Sequence, residues 1–189
     1  MLFRSAYGVA MGSFNGVAGE GWKQMLVSGS KVPLLFLVTF VLCLPSFYVL
    51  NMLAGLHADF FHVLNAVLGF QSLAAIVLAA LAPITGLINV STSYYSFVVF
   101  WNGIMFAIAS LCGHWMMSRL YRPLIAANRR HALALRVWVL LYWFVGIQMA
   151  WVLRPFIGNP HKPVQFFRDE AWGNAYVEVI HLIIRVLHR

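Results

Sequence analysis

Long apolar runs without a charge are the feature of this sequence that most limits its fold. Residues 32–55 form an uncharged run of 24 residues, and residues 60–82 form a second one of 23. At about 1.5 Å of rise per residue, either run is long enough as a helix to cross a hydrocarbon core of roughly 30 Å. Residues 97–117 and 132–153 form a third and a fourth apolar run. The sequence therefore predicts four transmembrane helices.

The composition favours a membrane protein over a soluble domain. Of the 189 residues, 62% are apolar and 10% are charged, whereas a soluble domain has roughly 25% charged residues. The formal charge of +8 would suggest nucleic acid as a partner of a soluble protein. Here the basic residues lie at the ends of apolar runs, where they meet lipid headgroups. We therefore predict an all-α, polytopic integral membrane helical bundle that binds no nucleic acid.

Prolines and small polar residues indicate where the helices bend or end. Pro45 removes a backbone donor in the middle of the first run, so we expect a kink there. Pro83 ends the second run, and the Ser, Thr, Asn and Gly residues of 83–96 are typical of a turn at the interface or a short re-entrant piece. A re-entrant hairpin over 60–94 is the alternative to a single second span.

The segments on either side of the bundle differ from it in pattern. Residues 1–30 are a Gly-rich N-terminal segment, 31–156 are the transmembrane bundle, and 157–189 are an interfacial tail. The last 15 residues of the tail have the pattern of an amphipathic helix on the membrane surface. The N-terminal segment has three glycines at a spacing of four, Gly8, Gly12 and Gly16. One helical face would then carry all three and allow close helix contact, and a flexible leader is the alternative.

A set of arginines is the first candidate contact site. The stretch 119–136 contains five arginines and no acidic residue, and a sixth arginine follows the fourth run. These residues are Arg119, Arg122, Arg129, Arg130, Arg136 and Arg154. Anionic lipid headgroups are the expected partner, at roughly 1 kcal/mol for each basic residue near the surface. An acidic patch on a partner protein and a merely solvated loop are the alternatives.

Uncharged polar residues within the apolar runs are the second candidate set. They are Asn65, Gln71, Asn102 and Gln148, and we group Pro45 with them. Because amides cannot face lipid cheaply, we expect hydrogen bonds between helices or subunits, worth roughly 0.6 to 2 kcal/mol each, rather than pore lining. Small residues four apart also indicate close helix contacts, at Gly103 and Ala107, Ala109 and Gly113, and Gly146 and Ala150.

The sequence predicts no catalytic residue and no cofactor. No Asp or Glu occurs from residue 60 to residue 168, whereas proton-coupled transporters and ion pumps usually need a carboxylate inside the membrane. No HExxH motif indicates an intramembrane metalloprotease. With four spans, His62 and His114 have similar depth, so two facing imidazoles are candidate ligands of a haem iron or a metal. Alternatively, His114 bonds to a neighbouring helix while His62 is hydrated at the interface.

Two stretches resemble a known group of proteins. KVPLLFLVTFVLCLPSFYVLNML, residues 31–53, and QMAWVLRPFIGNP, residues 148–160, are similar to a group of short bacterial polytopic membrane proteins of uncharacterised function, loosely Yip1-like. The similarity covers about 31–168. It implies a multi-pass protein of the bacterial inner (cytoplasmic) membrane and carries over no catalytic residue.

We therefore expect a non-enzymatic integral membrane subunit that assembles with itself or with partner membrane proteins. Two alternatives remain open. One is a homo-oligomeric channel or pore with Asn102, Gln148 or Asn65 facing its lumen. The other is a membrane haem or metal protein that uses His62 and His114.

Overall fold

The computed structural model describes residues 1–16, 21–154, 156–158 and 166–167, and these residues form an all-helical bundle. The helices are α1 (Leu2–Gly12), α2 (Gly21–Leu53), α3 (Phe60–Ser91), α4 (Tyr95–Ala127) and α5 (Arg130–Val152). One short turn of 3-10 helix follows α1 (Ser13–Asn15), and another precedes α3 (His57–Asp59). The predicted amphipathic helix at the end of the tail lies outside the described residues.

Helices α2, α3, α4 and α5 are each long and apolar enough to cross a membrane. In the most apolar window of each, only between 17% and 28% of the residues are buried inside the chain. Large apolar side chains therefore face outward, such as Leu140 at 72% exposure and Phe100 at 66%. Soluble monomers rarely expose contiguous apolar surfaces of this extent. The chain is a multi-pass helical membrane protein, as the four apolar runs predict.

Helix α3 corrects one predicted boundary. It continues through Pro83 to Ser91, so the prediction of a re-entrant hairpin over 60–94 is wrong, and the turn predicted over 83–96 is confined to its last part. A proline removes one helical hydrogen bond, but membrane helices tolerate the loss where neighbouring helices and local adjustments compensate for it. The chain turns later, at residues 92–94, where the Tyr94 N–H donates to the Thr92 hydroxyl at 3.2 Å.

Helix α4 also extends further than its uncharged run. It continues through Pro123 to its end, and α5 begins three residues later. The stretch 119–136, which separates the third and fourth apolar runs, is therefore two helix ends joined by a short turn and not the solvated loop given as an alternative. Leu124 and Ile125 pack against the buried cluster around Trp138. Burial of these two side chains stabilises the part of α4 that follows its uncharged run, residues 97–117.

Helix α1 folds back against the first turns of α2, and two glycines make this contact. A Cβ atom added at Gly8 would lie 2.8 Å from the Cα of Gly29, and one at Gly12 would lie 2.7 Å from the Cα of Met25. Only residues without a Cβ allow two helices to approach this closely. The predicted glycine contact is thus confirmed for these two positions. Gly16 lies beyond the helix at a φ of +78°, a conformation that favours glycine.

Two buried clusters form the core of the bundle. The first lies around Tyr7, Phe36 and Leu78, where α1 is wedged between α2 and α3. The second lies around Phe47 and Trp138, where α2, α3, α4 and α5 meet. Helices α4 and α5 contact each other less than α3 and α4 do. A gap between α4 and α5 is therefore left beside the first cluster.

Candidate functional site

Antiparallel packing divides the charged residues between two ends of the bundle. The start of α2 lies beside the segment after α5, because Gln24 Nε2 donates to the carbonyl of Phe156 at 3.3 Å. We call this the N-terminal end, and it includes Arg154. The opposite end, which includes the turn between α4 and α5, is the arginine-rich end. Arg136 and Arg154 are eighteen residues apart, about 27 Å along a helix and close to the thickness of a hydrocarbon core.

The arginine-rich end has five exposed guanidinium groups. They belong to Arg119 and Arg122 near the end of α4, and to Arg129, Arg130 and Arg136 in the turn and at the start of α5. The Arg119 guanidinium lies 5.5 Å from the centre of the Trp115 ring. Arg130 donates to the Ala54 carbonyl at 3.3 Å. These contacts orient two of the side chains and neutralise neither charge.

Asp59 is the one acidic residue in the described part of the chain, and it lies at the arginine-rich end. Its Oδ2 atom is 3.0 Å from Nε2 of His131. His131 is fully buried, with its ring 6.3 Å from the Tyr121 ring. The pair joins the turn before α3 to the first turn of α5. A single carboxylate with its own partner leaves this end strongly positive.

Gln71 is the centre of a hydrogen-bond network that joins four helices. Its Oε1 atom and its backbone carbonyl each accept from Nη2 of Arg4 at 3.0 Å. Its Nε2 group donates to the Tyr142 hydroxyl at 3.1 Å and to the Phe36 carbonyl at 3.3 Å. The Arg4 guanidinium also lies 4.5 Å from the centre of the Phe36 ring. The network connects α1, α2, α3 and α5.

Asn102 makes a second buried connection, between α4 and α1. The Tyr7 hydroxyl donates to Asn102 Oδ1 at 2.8 Å, and Asn102 Nδ2 donates to the carbonyl of Val98 at 2.9 Å. Tyr7 is fully buried and Asn102 is 2% exposed, so water does not compete for this bond. Arg4 and Tyr7 were not among the residues predicted from the sequence, because the glycines of the N-terminal segment indicated a helix contact without indicating polar partners. Arg4 in an otherwise apolar helix was the signal available.

The remaining polar candidates do not gather at one place. Asn65 and Pro45 are exposed on α3 and α2, and Gln148 is half-buried on α5. Neither Asn65 nor Pro45 lines the cleft described below. Pro45 lies inside α2.

The two candidate histidines are also apart. Gly113 of α4 packs against Phe70 of α3, so His114 lies about eight residues, or roughly 12 Å along α3, from the level of His62. Ligands of one metal ion lie within roughly 2 Å of it, so this register does not suit a shared ion. Within the described residues, no three His, Cys, Asp or Glu side chains are grouped as a metal site.

A cleft of about 770 Å³ separates α4 from α5. Small residues of both helices line it, namely Gly103, Ala107 and Ser110 of α4 and Gly146 and Ala150 of α5. A Cβ atom added at Gly103 would meet nothing within 4 Å. The close contact expected of the small residues at Gly103 and Gly146 is therefore not made between these two helices. The same expectation is correct at Gly113, where a Cβ atom would lie 2.9 Å from the Phe70 carbonyl oxygen.

The cleft begins at the N-terminal end and stops near the middle of the bundle. Tyr95 and Arg154 line its mouth, with the Arg154 guanidinium stacked on the Trp151 ring at 3.2 Å from the ring centre. Phe70 and Tyr142 line its inner end. These two rings contact each other edge to face, with centres 5.2 Å apart, and so close the floor.

A scan against protein-family models found no matching family, and searches of curated proteins and of solved structures found no match.

Proposed function

We propose that this chain is a non-enzymatic integral membrane subunit of the bacterial inner membrane, which assembles with itself or with partner membrane proteins. We further propose that its arginine-rich end binds anionic lipid headgroups. The charge of that end is the observation that carries the proposal. Five guanidinium groups are exposed there, while the one described carboxylate is paired with His131. At roughly 1 kcal/mol per basic residue, five arginines would contribute several kcal/mol to the free energy of binding to an anionic surface.

The contacts of the polar candidates support a packing subunit over a pore. The amides of Gln71 and Asn102 are bonded to other parts of the same chain, whereas a residue that lines a pore presents its polar atoms to water or ions. Asn65 is exposed on α3. An outward amide gains most from a partner on another subunit, because lipid offers it none.

Replacing all five arginines of the arginine-rich end with glutamine should reduce the anionic lipid that the protein retains. The purified protein is exchanged into nanodiscs of equal parts phosphatidylglycerol and phosphatidylcholine, and the lipids that remain after gentle delipidation are counted by native mass spectrometry. We expect the wild type to be enriched in phosphatidylglycerol, less so as salt rises, and the variant to lose most of that enrichment. Lys23→Gln, at the opposite end, is the matched control. Unchanged enrichment in the five-fold variant would refute the lipid proposal.

Replacing Asn65 with leucine should weaken assembly without unfolding the chain. Two differently tagged copies are produced in the same cells and extracted gently, and each tag is used to capture the other copy and any accompanying polypeptides. We expect Asn65→Leu to lower the captured amount and Ser72→Ala, on the same helix, to leave it unchanged, since the exposed Ser72 hydroxyl donates to its own helix at Leu68. Equal capture by both variants would remove Asn65 from the interface.

A further inference from the structure

We infer that the cleft between α4 and α5 binds one hydrocarbon chain of an anionic membrane phospholipid, with the lipid phosphate at Arg154. The cleft lies toward the end of the bundle opposite the arginine-rich end, so lipid binding there is independent of the proposed function. The lining of the cleft, its depth and the charge at its mouth all favour such an occupant.

The lining and the opening of the cleft favour an occupant from the bilayer. Apart from Asn102, Thr39 and Ser110, the wall between the mouth and the floor is apolar or aromatic. Gly103 and Ala107 on one side, and Trp143 and Ile147 on the other, line the cleft and are exposed, so the cleft is open and not an enclosed cavity. The cleft therefore opens sideways, where acyl chains surround the protein. Its volume of about 770 Å³ is within the roughly 300 to 1,000 Å³ of ligand sites.

The depth of the cleft suits a lipid chain better than a partner helix. Tyr142 at the floor is twelve residues from Arg154 at the mouth, roughly 18 Å along the helix and little more than half of a 30 Å hydrocarbon core. Beyond the floor, Met117 and Trp138 pack into the second core cluster. A transmembrane helix needs a groove across the whole hydrocarbon core of the bilayer. An acyl chain of a lipid in one leaflet ends near the middle of that core.

The mouth of the cleft supplies recognition of a phosphate. A guanidinium has five N–H donors in a planar fork that matches two phosphate oxygens, so Arg154 can bind a headgroup in addition to its other contacts. Its stacking on Trp151 holds the plane of the fork at the level of the interface. Tyr95 lies at the same mouth, and tyrosine and tryptophan favour headgroup depth. A net negative headgroup is therefore preferred over a zwitterionic one of equal chain length.

Filling the cleft tests this inference. Ala107→Phe places a ring in the cleft, and Ile108→Phe, one residue further along α4, places it on the lipid-facing surface, where Ile108 is 39% exposed. Both changes are made in the wild type and in the protein with the five arginines of the opposite end replaced. Phosphatidylglycerol and phosphatidylcholine with identical chains are titrated into detergent-solubilised protein, and lipid adducts are resolved by native mass spectrometry. Thermal unfolding checks that each variant folds, and Gly103→Leu serves as the second cleft variant.

We expect one tightly held phosphatidylglycerol in both backgrounds, weakened at least about tenfold by Ala107→Phe and Gly103→Leu and unchanged by Ile108→Phe. Arg154→Gln should remove the preference for phosphatidylglycerol over phosphatidylcholine, and Arg154→Lys should restore part of it. Retention of the lipid by both folded cleft variants would overturn the inference. The inference would also be overturned if a second polypeptide, and no lipid, were bound to the wild type and lost only when the cleft is filled. Loss of the lipid in the background without the five arginines would assign it to the arginine-rich end.

Discussion

Replacing Gln71 with leucine should lower the free energy of unfolding by about 3 kcal/mol. The change removes one of the two acceptors that the Arg4 guanidinium has on Gln71 and both bonds of the amide nitrogen. Hydrogen bonds to a charged group contribute roughly 1.5 to 3 kcal/mol, and a buried group left without a partner adds a further cost. Denaturant or thermal unfolding in detergent micelles measures the loss. Ser72→Ala, one residue further along α3, should change stability by less than about 0.5 kcal/mol.

A second substitution at Arg4 separates a lost bond from a stranded charge. If the stranded guanidinium causes much of the loss, Arg4→Met combined with Gln71→Leu should be more stable than Gln71→Leu alone, because the charge is removed together with its acceptor. A Gln71→Leu protein as stable as the wild type would contradict this description of the network. A double variant that loses the full sum of the two single changes would do the same.

Replacing Gly8 with alanine should displace α1 from α2. The added methyl group would lie 2.8 Å from backbone atoms of α2, and backbone cannot move aside as a side chain can. Overpacking of this kind costs roughly 1 to 3 kcal/mol or more, which exceeds the gain of about 1 kcal/mol in helix propensity from glycine to alanine. We expect a lower unfolding temperature and faster hydrogen exchange over residues 2–12.

Gly86→Ala is the matched control for Gly8→Ala. Gly86 is also inside a helix, but an added Cβ atom would meet nothing within 4 Å. The control should therefore be neutral or slightly stabilising, because it makes the same change in propensity without the clash. Equal unfolding temperatures for the two variants would mean that α1 and α2 are not packed backbone to backbone.

The four spans could be predicted because a helix that crosses the lipid bilayer needs a continuous apolar stretch, which is a local property of the sequence. A span needs about 20 predominantly apolar residues with few or no charges, and that property can be read directly from residues 32–55 or 60–82. The ends of the helices could not be predicted, because packing determines them. Leu124 is held in α4 by the cluster around Trp138, which is far away in the sequence. Pro83 is typical of a helix end, but it lies within α3.

The candidate contact sites were only partly predictable. We expected the polar residues to form hydrogen bonds between helices, and Gln71 and Asn102 do so. Their partners Arg4 and Tyr7 could not be predicted, because both lie in α1, whose position depends on the whole fold. Small residues four apart predict a helix face that another helix can approach closely. They do not indicate whether another helix does pack against that face. Gly113 meets Phe70, while Gly103 faces the open cleft. The difference depends on the divergence of α4 and α5, which no local pattern records.

Native mass spectrometry of the protein extracted gently from its own membrane is the most direct test of a subunit that assembles in the membrane. We expect a mass of several copies of the 189-residue chain, or of this chain with other polypeptides, carrying anionic lipid. Extra polypeptides would identify the partners from which the role of the subunit can be read. A single copy without a second chain, at every extraction strength at which the bundle stays folded, would contradict the proposed assembly.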